Sequence, residues 1–388
     1  MRGSRFVRGV WPLRVLGRVL PALASILVHA EAAAATPSSL PPPAPARPVP
    51  VLRGIYLPAG RLLQGVSDAE WAAWIESGIN AVVVDLKNDE GWVLAPVDVP
   101  EVSAFKARWS PGLDLAGFTA RARRDGFYPV ARIVALRDNR AGRARPDLAL
   151  RSRSGEVWRG AKGERWLDPR RAEVRRYIAE LAVAASRMGF AEVHLDYVRF
   201  PSEGPLHRLA WPSGASKVDA VAGLISAVAE ALAPTDTLLS AAVFGQACVL
   251  EGDMGIGQRC ESVAGQVDVV APMAYPSHYA RGSFGLAVPE RAPGRTVERT
   301  LARTTARVER ARVRPWLQAF TLRVPYGAVE LAEQIRAAEA AGTAGWFLWN
   351  PYGVYPYLQT AMELARRPVA SAGAPWPETP SYARAGER

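Results

Sequence analysis

Eight strand-like runs alternate with helix-like runs over about 320 residues, and this alternation limits the folds open to the chain more than any other feature. The β-branched and aromatic runs are 54–57, 81–86, 128–135, 192–198, 238–244, 267–274, 314–320 and 345–349. Between most of them lie segments with helical periodicity: 68–77, 113–125, 172–188, 217–232, 297–310 and 328–341. Ser67 suits an N-cap, and Gly78, Gly126, Gly189 and Gly342 stand where helices would stop. Strand–helix alternation of this kind predicts a parallel sheet. Eight repeats predict one closed (β/α)8 TIM barrel over residues 51–366. An open doubly wound sheet is the competitor, but no GxGxxG follows the first strand and no P-loop occurs.

The flanks differ in composition from this body. Residues 1–35 place Arg2, Arg5, Arg8, Arg14 and Arg18 ahead of the apolar stretch 19–28, with small residues up to Ala35. That is a signal-peptide pattern, too short in its apolar part to span a bilayer, so an exported, periplasmic or secreted protein without a stable membrane span is expected. The segment carries five Arg and one Glu, so +7 of the formal +11 remains on the rest of the chain. Residues 36–50 (TPSSLPPPAPARPVP) read as a stiff Pro-rich linker, and 367–388 as a disordered tail. Arg-rich stretches such as 140–153 read as solvated faces, and no nucleic-acid partner is expected of an exported chain. Cys248 and Cys260 stand twelve apart and could close one loop as a disulfide or remain free thiols. Without clustered His they do not suggest a metal, and no cofactor is expected.

In a barrel of this type, chemistry gathers at the carboxyl ends of the strands. Strand four, EVHLDYVRFP, ends in Asp196, with His194 two residues before it on the same face, and Tyr197 and Arg199 after it. Strand two ends in Asp85 and Lys87, which simple alternation also puts on one face. Arg132 on strand three would point inward and would need an anionic partner, for which Asp85 and Asp196 are the natural candidates. Strand six leads into PMAYPSHY, offering Tyr275 and His278. Strand seven offers Trp316 and Gln318, and strand eight Trp349 and Asn350. Aromatic faces, amides and carboxylates in one place suit a sugar, whose C–H face stacks and whose hydroxyls hydrogen-bond. With twelve Trp in the chain, any single one more readily packs than binds. If the ligand is a glycan to be cleaved, two carboxyl groups are required. Asp196 is the best-placed one. The proton donor is sought in Asp253, with Glu251, Glu203 and Asp85 as alternatives.

Taken together, HLDYVRFPSEG, DMGIGQ, APMAYPSHYARGSFG and WFLWNP resemble the bacterial glycosyl-hydrolase family known as domain of unknown function 4015. RGIYLPAG, NAVVVDLKNDEG, ARIVALRD, RPDLAL, VWRG and WLDP extend the resemblance from about Arg53 to Tyr357. It implies a glycoside-hydrolase-like TIM barrel with a carbohydrate substrate. Likeness to the wider barrel glycosidases implies a nucleophile-type role for Asp196. Their general-acid Glu at the end of strand five has no counterpart in LLSAAVFG. The expectation is therefore a glycoside hydrolase acting on an extracytoplasmic polysaccharide or envelope glycan through Asp196 and Asp253. Asp85, Lys87, Arg132, His194, Tyr197, Arg199, Tyr275, His278, Gln318, Trp349 and Asn350 would bind the sugar. The rival expectations are a glycan-binding barrel without turnover and an envelope-associated scaffold.

Overall fold

A computed structural model describes residues 47–309 and 312–367. The segment expected to be a signal peptide, most of the expected linker and almost all of the expected tail lie outside the described residues. The strands are β1 (Leu52–Leu57), β2 (Ala81–Lys87), β3 (Tyr128–Val134), β4 (Glu192–Asp196), β5 (Leu238–Phe244), β6 (Val269–Met273), β7 (Arg312–Val313), β8 (Trp316–Gln318) and β9 (Gly345–Trp349). All pair in parallel, in the order β5-β4-β3-β2-β1-β9-β8-β6, and a β5–β6 pairing closes the barrel. The short β7 and β8 form one stave interrupted at Arg314-Pro315, where proline has no N–H to donate.

Both faces of the strands are buried, as the uninterrupted apolar runs require. Ile55, Leu57, Val82, Val84, Leu86, Val193 and Leu195 point outward to the helices. Leu52, Tyr56, Val83, Val130, Ala271, Trp316 and Phe347 fill the barrel. Gly54 belongs to the inner wall, where a Cβ would lie 2.4 Å from the Phe347 ring. Helix Ala172–Arg187 buries Val174, Tyr177, Ile178, Leu181, Ala182 and Ala185, which is the expected stripe. Ser67 caps helix Asp68–Glu76 through a capping box with Glu70. The predicted helix-stop glycines all take positive φ.

The last residues of the Pro-rich segment are attached to the base of the barrel. Arg47 ion-pairs with Asp268 at 2.5 Å and donates to the Thr237 carbonyl, and the Pro50 carbonyl accepts from Arg314. Above them, Arg314 and Glu192 form a fully buried pair at 2.8 Å that closes the amino-terminal end of the interior.

The end of β2 departs from simple alternation. Asp85 is paired with Arg132, but Lys87 is already opposite Ile133, so the extra residue is a β-bulge. The bulge turns Lys87 onto the outer face, away from Asp85, and corrects its assignment to the sugar site. There its amine meets Asp138 at 3.0 Å, donates to the Val134 carbonyl at 2.6 Å, and is fully buried. Burial pushes the amine below its ordinary pKa, opposed by Asp138. Gly91, at φ 91°, leaves room for this pair, since a Cβ there would lie 2.1 Å from Asp138 Oδ1. We expect Lys87→Ala to lower stability by about 3–5 kcal/mol, because it strands a buried carboxylate. Lys87→Met with Asp138→Asn should recover most of that loss in urea titrations. A single-variant cost near zero would refute the buried-pair assignment.

Candidate functional site

Three neighbouring strands bring Asp85, Arg132 and Asp196 together at the carboxyl end of the barrel. Arg132 donates from Nη1 to Asp85 Oδ1 at 2.6 Å, and from Nε and Nη2 to Asp196 Oδ2 at 3.0 and 2.7 Å. The sequence asked for one anionic partner; the guanidinium has two. Exposure is low throughout: 4% for Asp85, 5% for Arg132 and 9% for Asp196. The Tyr56 hydroxyl donates to Asp85 Oδ2 at 2.6 Å, and the Tyr197 amide donates to Asp196 Oδ1 at 2.7 Å. Trp349, half-buried, stacks on Tyr56 at 4.1 Å with its ring 4.9 Å from the Arg132 guanidinium carbon.

The two carboxyls differ in proton affinity. Burial raises the pKa of Asp85, and this outweighs Arg132 and Tyr56. Burial also pushes Asp196 upward, but Arg132 and the Tyr197 amide hold it below the usual value. Environments that separate two carboxyl pKa values set up one acid and one base. Tyr56 and Tyr275 are both raised well above the usual phenol value, chiefly by burial, and so remain O–H donors. The Tyr275 ring is edge-on to His278 and Phe320, at 5.3 and 5.7 Å.

β4 ends at Asp196 because Tyr197 takes φ 53°, outside the strand region. The chain then places Val198 outward and brings Arg199 back over the mouth. Arg199 lies 4.5 Å from Phe244, the last inward residue of β5, and 4.9 Å from Tyr197.

Several residues expected at the site serve the frame instead. His194 is fully buried beneath the carboxylates. Trp316 Nε1, a donor only, reaches His194 Nε2 at 2.9 Å, so Nδ1 carries the proton and donates to Ser240 Oγ at 2.7 Å. Gln318 is also fully buried, accepting from the Ser277 amide and donating to the Phe320 carbonyl. Asn350 cross-links the ends of β8 and β9 through the Ala319 carbonyl and the Tyr352 amide. His278 is exposed and bonded to Ser277.

Asp253 stands apart from the carboxylate pair. Both of its oxygens are engaged by its own loop, one by the Gly255 amide at 3.0 Å and the other by Gly257 at 2.9 Å. The loop is held by a disulfide between Cys248 and Cys260 and by Gln258, which accepts from the Phe244 amide. Glu203 and Glu251 are exposed. Asp85 is thus the carboxyl that shares a guanidinium with Asp196, and its signal in the sequence was only its place at a strand end. Among the described residues no group of three or more His, Cys, Asp or Glu could hold a metal ion. None of their helices is long and apolar enough to cross a membrane.

Burial lowers the His194 pKa to about 3. Its ordinary value in the unfolded chain is near 6.5, so below that pH the unfolded state binds the extra proton. Stability should therefore fall by about 1.4 kcal/mol per pH unit from this group as pH drops from 6.5 towards 3. His194→Gln should lose that slope in urea titrations run across this range; an unchanged slope would rule the group out as its source.

Comparison with known proteins agrees with the barrel fold. The family model described as "Putative glycosyl hydrolase domain" (DUF4015) matches residues 54–355. Among solved structures, the chain is similar to the glycoside hydrolase domain of PgaB (BpsB) from Bordetella bronchiseptica. Identity is 14%, with 81% of this chain and 99% of that one covered, at a TM-score of 0.57. It is also similar to the α-galactosidase TtGalA from Thermus thermophilus, solved with stachyose, at 16% identity. That match covers 84% of this chain and 66% of the other, at a TM-score of 0.53. A hypothetical protein from Ruminiclostridium thermocellum is 26% identical over 48% of this chain and 96% of its own, at a TM-score of 0.42. No curated protein matches the chain.

Proposed function

Since the chain belongs to the DUF4015 family of glycosyl hydrolase domains, we propose that it hydrolyses O-glycosidic bonds in an extracytoplasmic polysaccharide or envelope glycan, with Asp196 and Asp85 as the working carboxyls. The observation that carries this reading is the Asp85–Arg132–Asp196 cluster, two carboxyls on one guanidinium with opposite pKa displacements. Asp196, kept ionised, supplies negative charge to the anomeric carbon, either by attacking it or by deprotonating a water molecule. Asp85, whose burial raises its affinity for a proton, gives that proton to the leaving oxygen as the glycosidic bond breaks. One water is consumed overall, and Asp85 regains a proton from it. Trp349 and Tyr275 offer a ring face and a hydroxyl to the sugar. Asp253 is assigned to its loop rather than to proton transfer.

A second reading rests on a specific observation. All four oxygens of the two carboxyls already accept or share hydrogen bonds within the protein. A barrel that only binds glycan would look the same at this level, and turnover separates the two readings.

Purified mature protein should release reducing ends from at least one member of a glycan panel. Asp196→Asn should abolish the release, and Asp85→Asn should reduce it by about 10²–10⁴-fold. The pH profile of kcat/KM should fall on the alkaline side as Asp85 deprotonates and on the acid side as Asp196 is protonated, and Asp85→Asn should remove the alkaline fall. Folded wild type that binds a glycan without cleaving it would instead establish the binding-only reading.

Export is part of the same proposal. It is supported by the basic and apolar start of the chain and by the Cys248–Cys260 bridge, a bond that persists outside the reducing cytosol. Mass spectrometry of the periplasmic and culture fractions of an expressing cell should find a polypeptide beginning near residues 31–36. Recovery of the intact amino terminus in the cytosol alone would overturn it.

A further inference from the structure

The mouth of the barrel holds a cation that the proposed chemistry does not use. Arg199 is 8% exposed, and no carboxylate among the described residues lies within ion-pair distance of it. Its guanidinium carbon sits among three rings, 4.5 Å from Phe244, 4.9 Å from Tyr197 and 5.0 Å from Trp166. Its hydrogen bonds all leave from Nη1, to the Phe200 carbonyl at 3.0 Å and Ser202 Oγ at 3.2 Å. Nε and Nη2, a ready fork for an anion, bind no described acceptor. Arg137 stands on the other side of Tyr197, 5.6 Å from its ring. It pairs with Asp89 at 3.0 Å, and its own buried Nε is without a partner.

Burying a guanidinium is costly unless it is paired, and stacking on rings offsets only part of that cost. Arg132 is already engaged by Asp85 and Asp196, whereas Arg199, close to Asp196, has no carboxylate of its own within ion-pair distance among the described residues. We propose that Arg199, assisted by Arg137, binds an acidic substituent of the substrate, a carboxylate or sulfate on the sugar next to the one held at Asp196. This rests on the glycan reading above and narrows it to acidic glycans. The three rings lock the guanidinium plane, so the fork is pre-organised for a two-oxygen anion. Tyr197 couples this subsite to the reacting centre, since its amide holds Asp196 while its ring lies between the two arginines.

The test reads binding rather than turnover, so that it does not depend on catalysis. D-glucuronate, glucose 6-sulfate and glucose are titrated by calorimetry into wild type and into Asp196→Asn. At least one acidic sugar should bind about tenfold or more tightly than glucose in both proteins, and the one that does names the anion. Arg199→Gln should weaken that sugar by about ten- to hundredfold while leaving glucose unchanged. Arg199→Lys, which keeps the charge but loses the fork, should fall between the two. If Arg199→Gln does not fold, the preference for an acidic sugar over glucose in wild type still decides the matter. Equal binding of all three sugars, or full retention of acidic-sugar binding in folded Arg199→Gln, would overturn the proposal. Failure of hydrolysis with retained acidic preference would sink only the catalytic reading.

Discussion

Arg132 is the group on which the top of the barrel depends. Two carboxyls less than a tenth exposed would repel one another and lose their hydration, and neither cost is acceptable without a shared cation. The guanidinium suits this position because its five donors lie in one plane, so it can face both neighbours at once. A lysine there would offer one charged point, without a fork for Asp85 on one side and Asp196 on the other. The same contact ties the ends of β2, β3 and β4 into a fixed arrangement. Structural cohesion and site geometry are therefore one interaction seen from two sides.

The rest of the barrel interior obeys a similar rule, with polar groups admitted only when they are satisfied. Glu192 and Arg314 close the base as a sealed pair. The middle holds His194 as a neutral ring between Trp316 and Ser240, with a tautomer dictated by the indole donor. That neutrality matters to the layer above. A charged imidazolium would compete with Arg132 for Asp196, whereas a neutral ring leaves the carboxylate to one cation.

Strand and helix positions were legible in the sequence because they rest on local periodicity and on stops such as Gly78 and Gly189. The inward Arg132 and its need for a carboxylate were legible too, since burial of a charge allows few solutions. What escaped was set by tertiary contact. One inserted residue between Asp85 and Lys87 reverses the face of the lysine, and alternation alone cannot reveal a bulge. Asp253 read as a free carboxylate in a glycine-rich loop. In the fold those glycines turn two amides onto it, so the motif that drew attention to Asp253 is also what occupies it. Trp316 and Gln318 stand near a strand end but lie too deep to meet a ligand. Depth along a stave depends on the shear of the barrel, which no single strand encodes.

Arg199 shows how the strain at one residue organises the mouth. If Tyr197 kept strand geometry, β4 would run on and its next inward residue would extend the stave. The turn to φ 53° at a non-glycine position instead directs the Tyr197 amide back onto Asp196 and swings the following loop across the end of β5. Such a conformation costs of order 1–3 kcal/mol and persists only where its surroundings over-determine it. Here they do so through the amide–carboxylate bond on one side and two guanidinium–ring contacts on the other. The turn also puts the Arg199 guanidinium 4.5 Å from the Phe244 ring at the end of β5. One backbone turn thus fixes both the Tyr197 amide on Asp196 and the Arg199 guanidinium beside Phe244.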